Sequence, residues 1–114
     1  MNTTSKPLAP EESEFDHAGL HTVDSEIVNV PRVKASKVSM ECKLTDVVQL
    51  KSASGESVDS WFIMGEVVGV HIDKSLIENG VYSTLKSAPV SRGGGRGDYY
   101  KISQENFFEM LRPE

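Results

Sequence analysis

The sequence predicts a mainly β domain with two small helices, and three observations carry that reading. The first is Trp61 to Asp73, WFIMGEVVGVHID, the longest apolar run in the chain and rich in β-branched and aromatic residues. The second is the alternation from Val38 to Leu50. It puts Val38, Met40, Cys42, Leu44, Val48 and Leu50 on one face, and Ser39, Glu41, Lys43, Thr45 and Gln49 on the other. The third is the polar segment between them, Lys51 to Ser60, with Gly55 and four serines. Two long strands joined by such a loop make a long antiparallel hairpin the simplest topology.

Residues 1–24 read as a polar segment with one short helix. Pro7 and Pro10 interrupt any regular element in residues 1–12. Ser13 stands where a helix cap is needed, with Asp16 three positions later and Gly19 as the stop. Phe15, Ala18 and Leu20 are its apolar content, enough to rest on something larger but not to fold alone. Residues 25–30, SEIVNV, read as a short strand ending at Pro31, and Arg32 to Lys37 as a basic connection. In the strand that follows, the alternation weakens at Asp46–Val47, as at a bulge.

The apolar run from Trp61 comes next. Phe62, Met64, Val68, Val70 and Ile72 fall on one side, and Ile63, Gly65, Val67 and Gly69 on the other. A strand apolar on both faces requires cover on both. Two glycines on one face point to close approach by a backbone or a flat ligand, with core packing as the plainer explanation. Asp73 is a cap for a turn or short helix reaching Gly80, and Val81 to Leu85 fits either strand or helix. Tyr99 to Ile102 reads as a last strand. Ser103 then caps a helix over residues 103–112, with Phe107, Phe108, Met110 and Leu111 as its apolar side and Pro113 as its end.

A chain of 114 residues is one small domain with little margin of buried core. The net charge of −5 sits entirely in residues 1–30, where Lys6 faces six acidic residues; the rest of the chain is neutral. That distribution argues against a general nucleic-acid binder. Cys42 is the single cysteine, so no internal disulfide forms and a reducing, cytoplasmic location is expected. The alternation points Cys42 inward as an inert core thiol. Residues 1–10 lack the apolar core of a signal peptide, and no run approaches the roughly 20 apolar residues of a membrane helix.

Two stretches carry candidate chemistry. Arg92 to Tyr100, RGGGRGDYY, has four glycines in six positions, so its backbone N–H groups are accessible to a phosphate or a ring. Arg92 is placed to fix an anion and Tyr99 to stack on a planar ligand, while a plain flexible turn before a strand accounts for the same residues. His71 closes the long apolar strand, on the Gly65 and Gly69 side. It is either a proton-handling or ligand-donating group or a rim histidine bonded to backbone. His17 and His21 are separated by Gly19, and no metal-ligand spacing is present. Neither a Walker A sequence nor a spaced GxGxxG follows a strand.

Taken in order, MNTTS with SEFDHAGL, VPRVKASKVSMECKL, FIMGEVVGVHID and PVSRGGGRGDYYKI resemble the flavin reductase-like, FMN-binding split-barrel proteins of the flavoredoxin and monooxygenase reductase-component type. The resemblance covers residues 1–102 or so, and corresponds to the C-terminal part of that family. It implies the C-terminal portion of a Greek-key split β-barrel, with the barrel strands in residues 25–102. It also implies homodimers that bind FMN near their interface and use NADH or NADPH to reduce flavin, or pass electrons through bound FMN, in some cases to a monooxygenase. By the same resemblance Asn2, Thr4 and Ser5 lie by the flavin, Arg92 and Tyr99 near the cofactor, and His71 close to the flavin and nicotinamide, the catalytic position. The glycine loop departs from the family pattern by an extra glycine and by Arg96-Gly97. Met1 falls at an internal methionine of that pattern, so a C-terminal fragment is expected. The competing expectation is an assembly piece, inactive alone, that completes a barrel with a separately supplied N-terminal half.

Overall fold

The structure is a computed structural model that describes residues 2–113; the expectation placed on Met1 lies outside them. The chain divides into two compact units, one ending at His71 and the other starting at Ile72.

The first unit opens with a 3-10 turn at Asn2–Ser5. Helix α1, Glu14–His17, starts where Ser13 leaves extended backbone and its Oγ accepts from the Phe15 amide at 3.3 Å. It stops at Gly19, whose φ of +62° suits a residue without a side chain. Strand β1, Thr22–Val23, pairs antiparallel with β2, Arg32–Val33, matching Thr22 to Val33 and Val23 to Arg32.

The predicted hairpin is present and longer than expected, with β3 over Val38–Lys51 paired to β4 over Ser57–Ile72. The polar loop contracts to a tight turn. The Ser52 amide donates to the Glu56 carbonyl at 2.8 Å, and the Gly55 amide to the Ser52 carbonyl at 2.9 Å. Gly55, at φ +89°, is the residue that allows it. At the weak point of β3 the Val47 amide turns to Asp46 Oδ1 at 2.7 Å.

In the second unit Asp73 caps a 3-10 turn, Lys74–Leu76, by accepting from the Ser75 amide at 2.8 Å. Strands β5, Ile77–Glu78, and β6, Val81–Tyr82, pair across Asn79-Gly80, both at positive φ as a two-residue hairpin turn demands. Helix α2, Thr84–Ser87, begins at Ser83, whose Oγ accepts from the Lys86 amide at 3.4 Å. Strands β7, Val90–Arg92, and β8, Tyr99–Lys101, enclose the glycine loop and pair Arg92 with Tyr99. Among the described residues of this unit, Leu76 is the buried apolar side chain, at 2 % exposure. Among the described residues every strand pairs with a sequence neighbour, and the chain is mainly β with short helices, as predicted.

Three expectations are corrected. Residues 25–30 are not a strand but a bent loop, because the amides of residues 26–28 are drawn to a side-chain carboxylate instead of a neighbouring strand. The helix over 103–112 is not formed. A single 3-10 turn, Gln104–Asn106, stands there; Ser103 makes no capping bond, and Phe107, Phe108, Met110 and Leu111 are exposed. A segment of that length gains too little from its own hydrogen bonds to hold a helix without a surface to pack on. Finally, Cys42 does not point into a core: it is exposed, and its neighbour Glu41 on the face read as polar is buried at 1 % exposure. The loop 24–31 packs on the Glu41 face, while Met40, Leu44, Val48 and Leu50 on the Cys42 face stay exposed. Trp61, Phe62, Ile63 and Val67 of β4 are exposed as well.

Candidate functional site

The densest polar site in the first unit is built on Glu41. It sits near the start of β3, and its carboxylate enters the bend of loop 24–31. Oε1 accepts from the Glu26 amide at 2.8 Å, and Oε2 accepts from the amides of Ile27 at 2.6 Å and Val28 at 3.0 Å. Three successive amides turned to one anion form a nest, and the charge strengthens each bond. From the end of β4, His71 Nε2 approaches Oε1 at 2.5 Å. From β2, Arg32 Nε lies 4.0 Å from the same oxygen, and Arg32 Nη2 donates to the Asp24 carbonyl at 3.0 Å. His71 Nδ1 faces Glu26 Oε1 at 3.9 Å.

The electrostatics follow from those donors. The Glu26 amide contributes most to holding the carboxylate charged. Burial opposes it, and the His71 contact and the amides of Ile27 and Val28 outweigh that opposition, so the Glu41 pKa falls from 4.5 to about 2. Gly69 of β4 makes room for the arrangement: a Cβ there would stand 2.9 Å from Ile27 Cδ1 and 3.5 Å from Glu41 Cβ. Gly65 serves the hairpin, since a Cβ would meet the Lys43 carbonyl oxygen at 3.3 Å and Cys42 Cβ at 3.4 Å. Both glycines therefore permit close packing on β3 and its loop.

The residues proposed from sequence fall into three groups. Asn2, Thr4 and Ser5 share the N-terminal 3-10 turn, where Ser5 Oγ donates to the Asn2 carbonyl at 2.8 Å. Thr4 also lines a cleft of about 510 Å³ with Phe15, Leu20, Val33, Ala35 and Ser36. His71 is joined to Glu41 as described. Arg92 and Tyr99 face each other across β7 and β8, with Arg92 Nη1 donating to the Tyr99 hydroxyl at 3.2 Å and the guanidinium carbon 5.7 Å from the ring centre. In the loop they flank, a Cβ on Gly93 would lie 2.5 Å from the ring of Tyr100 and one on Gly95 would meet the end of the Asp98 side chain, both exposed side chains; Gly94 and Gly97 border open space.

Sequence reasoning missed Glu41. In the alternation it is an ordinary polar position of a half-buried strand. Its partners stand nine positions before it (Arg32) and thirty after it (His71), and no strand or helix periodicity links them. Among the described residues no group of three His, Cys, Asp or Glu side chains is arranged to hold a metal ion, and no helix is long and apolar enough to cross a membrane.

This architecture is that of the split-barrel flavin reductases. A putative flavin reductase with a split barrel domain from Shewanella frigidimarina NCIMB 400 superimposes with a TM-score of 0.73 over 96 % of this chain and 53 % of its own, at 24 % identity. Component B of nitrilotriacetate monooxygenase from Bacillus cereus gives 0.81 over 96 % of this chain and 52 % of its own, at 32 % identity. Residues 1–90 match the flavin reductase-like domain, and the chain belongs to that family. An uncharacterised protein of Halalkalibacterium halodurans, BH2278, is 37 % identical over 113 residues, which are 99 % of this chain and 52 % of that one. The chain thus spans about half the length of the relatives it matches.

Proposed function

We propose that this chain is an FMN-binding flavin reductase-like domain that acts in the cytoplasm, reducing flavin with NADH or NADPH or passing electrons through bound FMN to a partner such as a monooxygenase. The family match over residues 1–90 carries this reading. The likeness to a protein described as a monooxygenase component supports the choice of partner.

The residues present suit the ring of a flavin. The cleft at Thr4 is within the roughly 300–1,000 Å³ of small-molecule sites. It joins apolar walls from Phe15, Leu20 and Val33 to the hydroxyls of Thr4 and Ser36. In this reading Asn2, Thr4 and Ser5 supply hydrogen bonds to the ring edge. In the second unit the family resemblance implies flavin contact by Arg92, exposed at the end of β7, and by Tyr99, which is hydrogen-bonded to it. His71 stands on the flavin and nicotinamide side as a hydrogen-bonding or proton-handling group. Bound FMN would supply the hydride- and electron-accepting ring, so the chain's own tasks are binding, orientation and exclusion of water.

The exposed apolar faces of β3 and β4 favour a second reading, that the chain is an assembly piece, inactive alone, whose binding requires a complementary N-terminal half. One experiment separates the two. The chain is titrated with FMN, and flavin fluorescence is followed, with and without a co-expressed N-terminal half from a relative. Saturable quenching by the chain alone supports the first reading, and quenching only with the added half supports the second. No quenching in either case refutes both.

A further inference from the structure

We propose that Glu41 is the positioning residue for His71, fixing the ring as its Nε2–H tautomer and leaving Nδ1 as the atom through which His71 exchanges protons or meets a ligand. The inference begins with a count of donors. An amide N–H can only donate, so three of the four close contacts to the carboxylate bring a hydrogen to it. Arg32 adds a positive charge at 4.0 Å and likewise has nothing to accept with. Those groups stabilise the ionised carboxylate, which has acceptors only. The hydrogen in the fourth contact, at 2.5 Å, therefore belongs to His71 Nε2.

The ring has one other nitrogen. Nδ1 points to the side of Glu26, whose own side chain is 77 % exposed, and the His71 side chain is 24 % exposed. At 3.9 Å, Glu26 Oε1 is too far for a direct hydrogen bond and near enough for one water to bridge. The charged and titratable groups around the ring are thus Glu41 from β3, Glu26 from loop 24–31, and Arg32 from β2 next to Glu41. A carboxylate that accepts from one nitrogen of an imidazole sets which nitrogen is left for a ligand. The identity of the ligand at Nδ1 rests on the proposed function; the tautomer does not, because it is a property of the flavin-free chain.

The test is long-range 1H–15N correlation of the imidazole rings in the flavin-free protein, over a range of about pH 5 to 9 across the histidine titration region. A His71→Gln sample identifies the His71 signals against those of His17 and His21. The expected result for the neutral ring is a pyrrole-type Nε2 and a pyridine-type Nδ1. A pyridine-type Nε2 in the wild-type protein, or equal populations of both tautomers, overturns the proposal. Glu41→Gln sharpens it. The carboxamide has one oxygen and one NH2 group, and turning the oxygen to Ile27 and Val28 keeps two amides bonded while the NH2 faces His71. Nε2 must then accept, so the two nitrogens exchange their signal types. A folded Glu41→Gln protein with the wild-type assignment also overturns the proposal, and one that fails to fold leaves the wild-type titration to decide. Loss of packing alone would not exchange the tautomer, which separates positioning from a merely structural role.

Discussion

Gly69 gives the sharpest test of how loop 24–31 is held, because of two substitutions there one should be tolerated and the other should destabilise. Its backbone is not in the left-handed region, so a side chain brings no φ strain, and replacing glycine in a strand recovers about 0.5–1 kcal/mol of unfolded-state entropy. In Gly69→Ala the new Cβ falls 2.9 Å from Ile27 Cδ1, the free end of a flexible side chain that is half exposed. Ile27 can turn aside at a cost of a few tenths of a kcal/mol, below the entropy gain, so the protein should be unchanged or slightly more stable. Gly69→Val adds two methyl groups beside Glu41, whose Cβ is 3.5 Å and Cδ 3.7 Å from the new Cβ. That carboxylate is anchored by three amides and cannot turn aside. Overpacking of this kind costs about 1–3 kcal/mol, which exceeds the entropy gain. The assay is the urea midpoint of each variant, with hydrogen exchange at the amides of residues 26–28. Valine should lower the midpoint and expose those amides, and alanine should do neither. A Gly69→Val protein with wild-type midpoint and protection would refute the close-packing argument.

Acid should release the same loop. The Glu41 pKa is lower folded than unfolded, so its contribution is complete above about 4.5 and is lost as pH falls toward about 2; amide exchange at 26–28, corrected for intrinsic rates, should rise across that window and stay flat above it. Leu76→Ala should destabilise the second unit by about 2–5 kcal/mol, read from its thermal unfolding, since Leu76 is buried there. Arg92→Ala should weaken FMN binding about tenfold or more, the loss of a charged hydrogen bond of about 1.5–3 kcal/mol, with Arg92→Lys restoring part of it in the same fluorescence titration. Replacing Ile63, 68 % exposed on β4, by lysine should reduce concentration-dependent self-association in sedimentation if the bare hairpin face is what drives it.

Local signals were legible in the sequence because they act within a few residues. Ser13, Asp73 and Gly19 cap and stop their elements where expected. The alternation from Val38 and the apolar run from Trp61 define the two long strands, with β-branched and aromatic side chains favouring extended backbone. The order of four motifs along the chain pointed to the flavin reductase-like family, which the match over residues 1–90 bears out. Asn2, Thr4, Ser5, Arg92 and Tyr99 remain proposals for flavin contact. The fold pairs Arg92 with Tyr99 across the two strands that flank the glycine loop.

What tertiary structure decided is which face of β3 is covered. Periodicity separates two faces of a strand but does not say which one meets a partner when that partner is an irregular loop. Loop 24–31 settles it through hydrogen bonds, not apolar area: three amides with no strand to pair with turn to the Glu41 carboxylate, bury it, and leave Cys42 exposed. The same contact turned an expected strand at 25–30 into a bend and gave His71 a fixed acidic neighbour 30 positions away. The sequence by itself determined the strands, the caps and the family. Only the folded chain, by bringing β2, β3, β4 and the loop to one carboxylate, decided where the buried charge lies and which nitrogen of His71 is held.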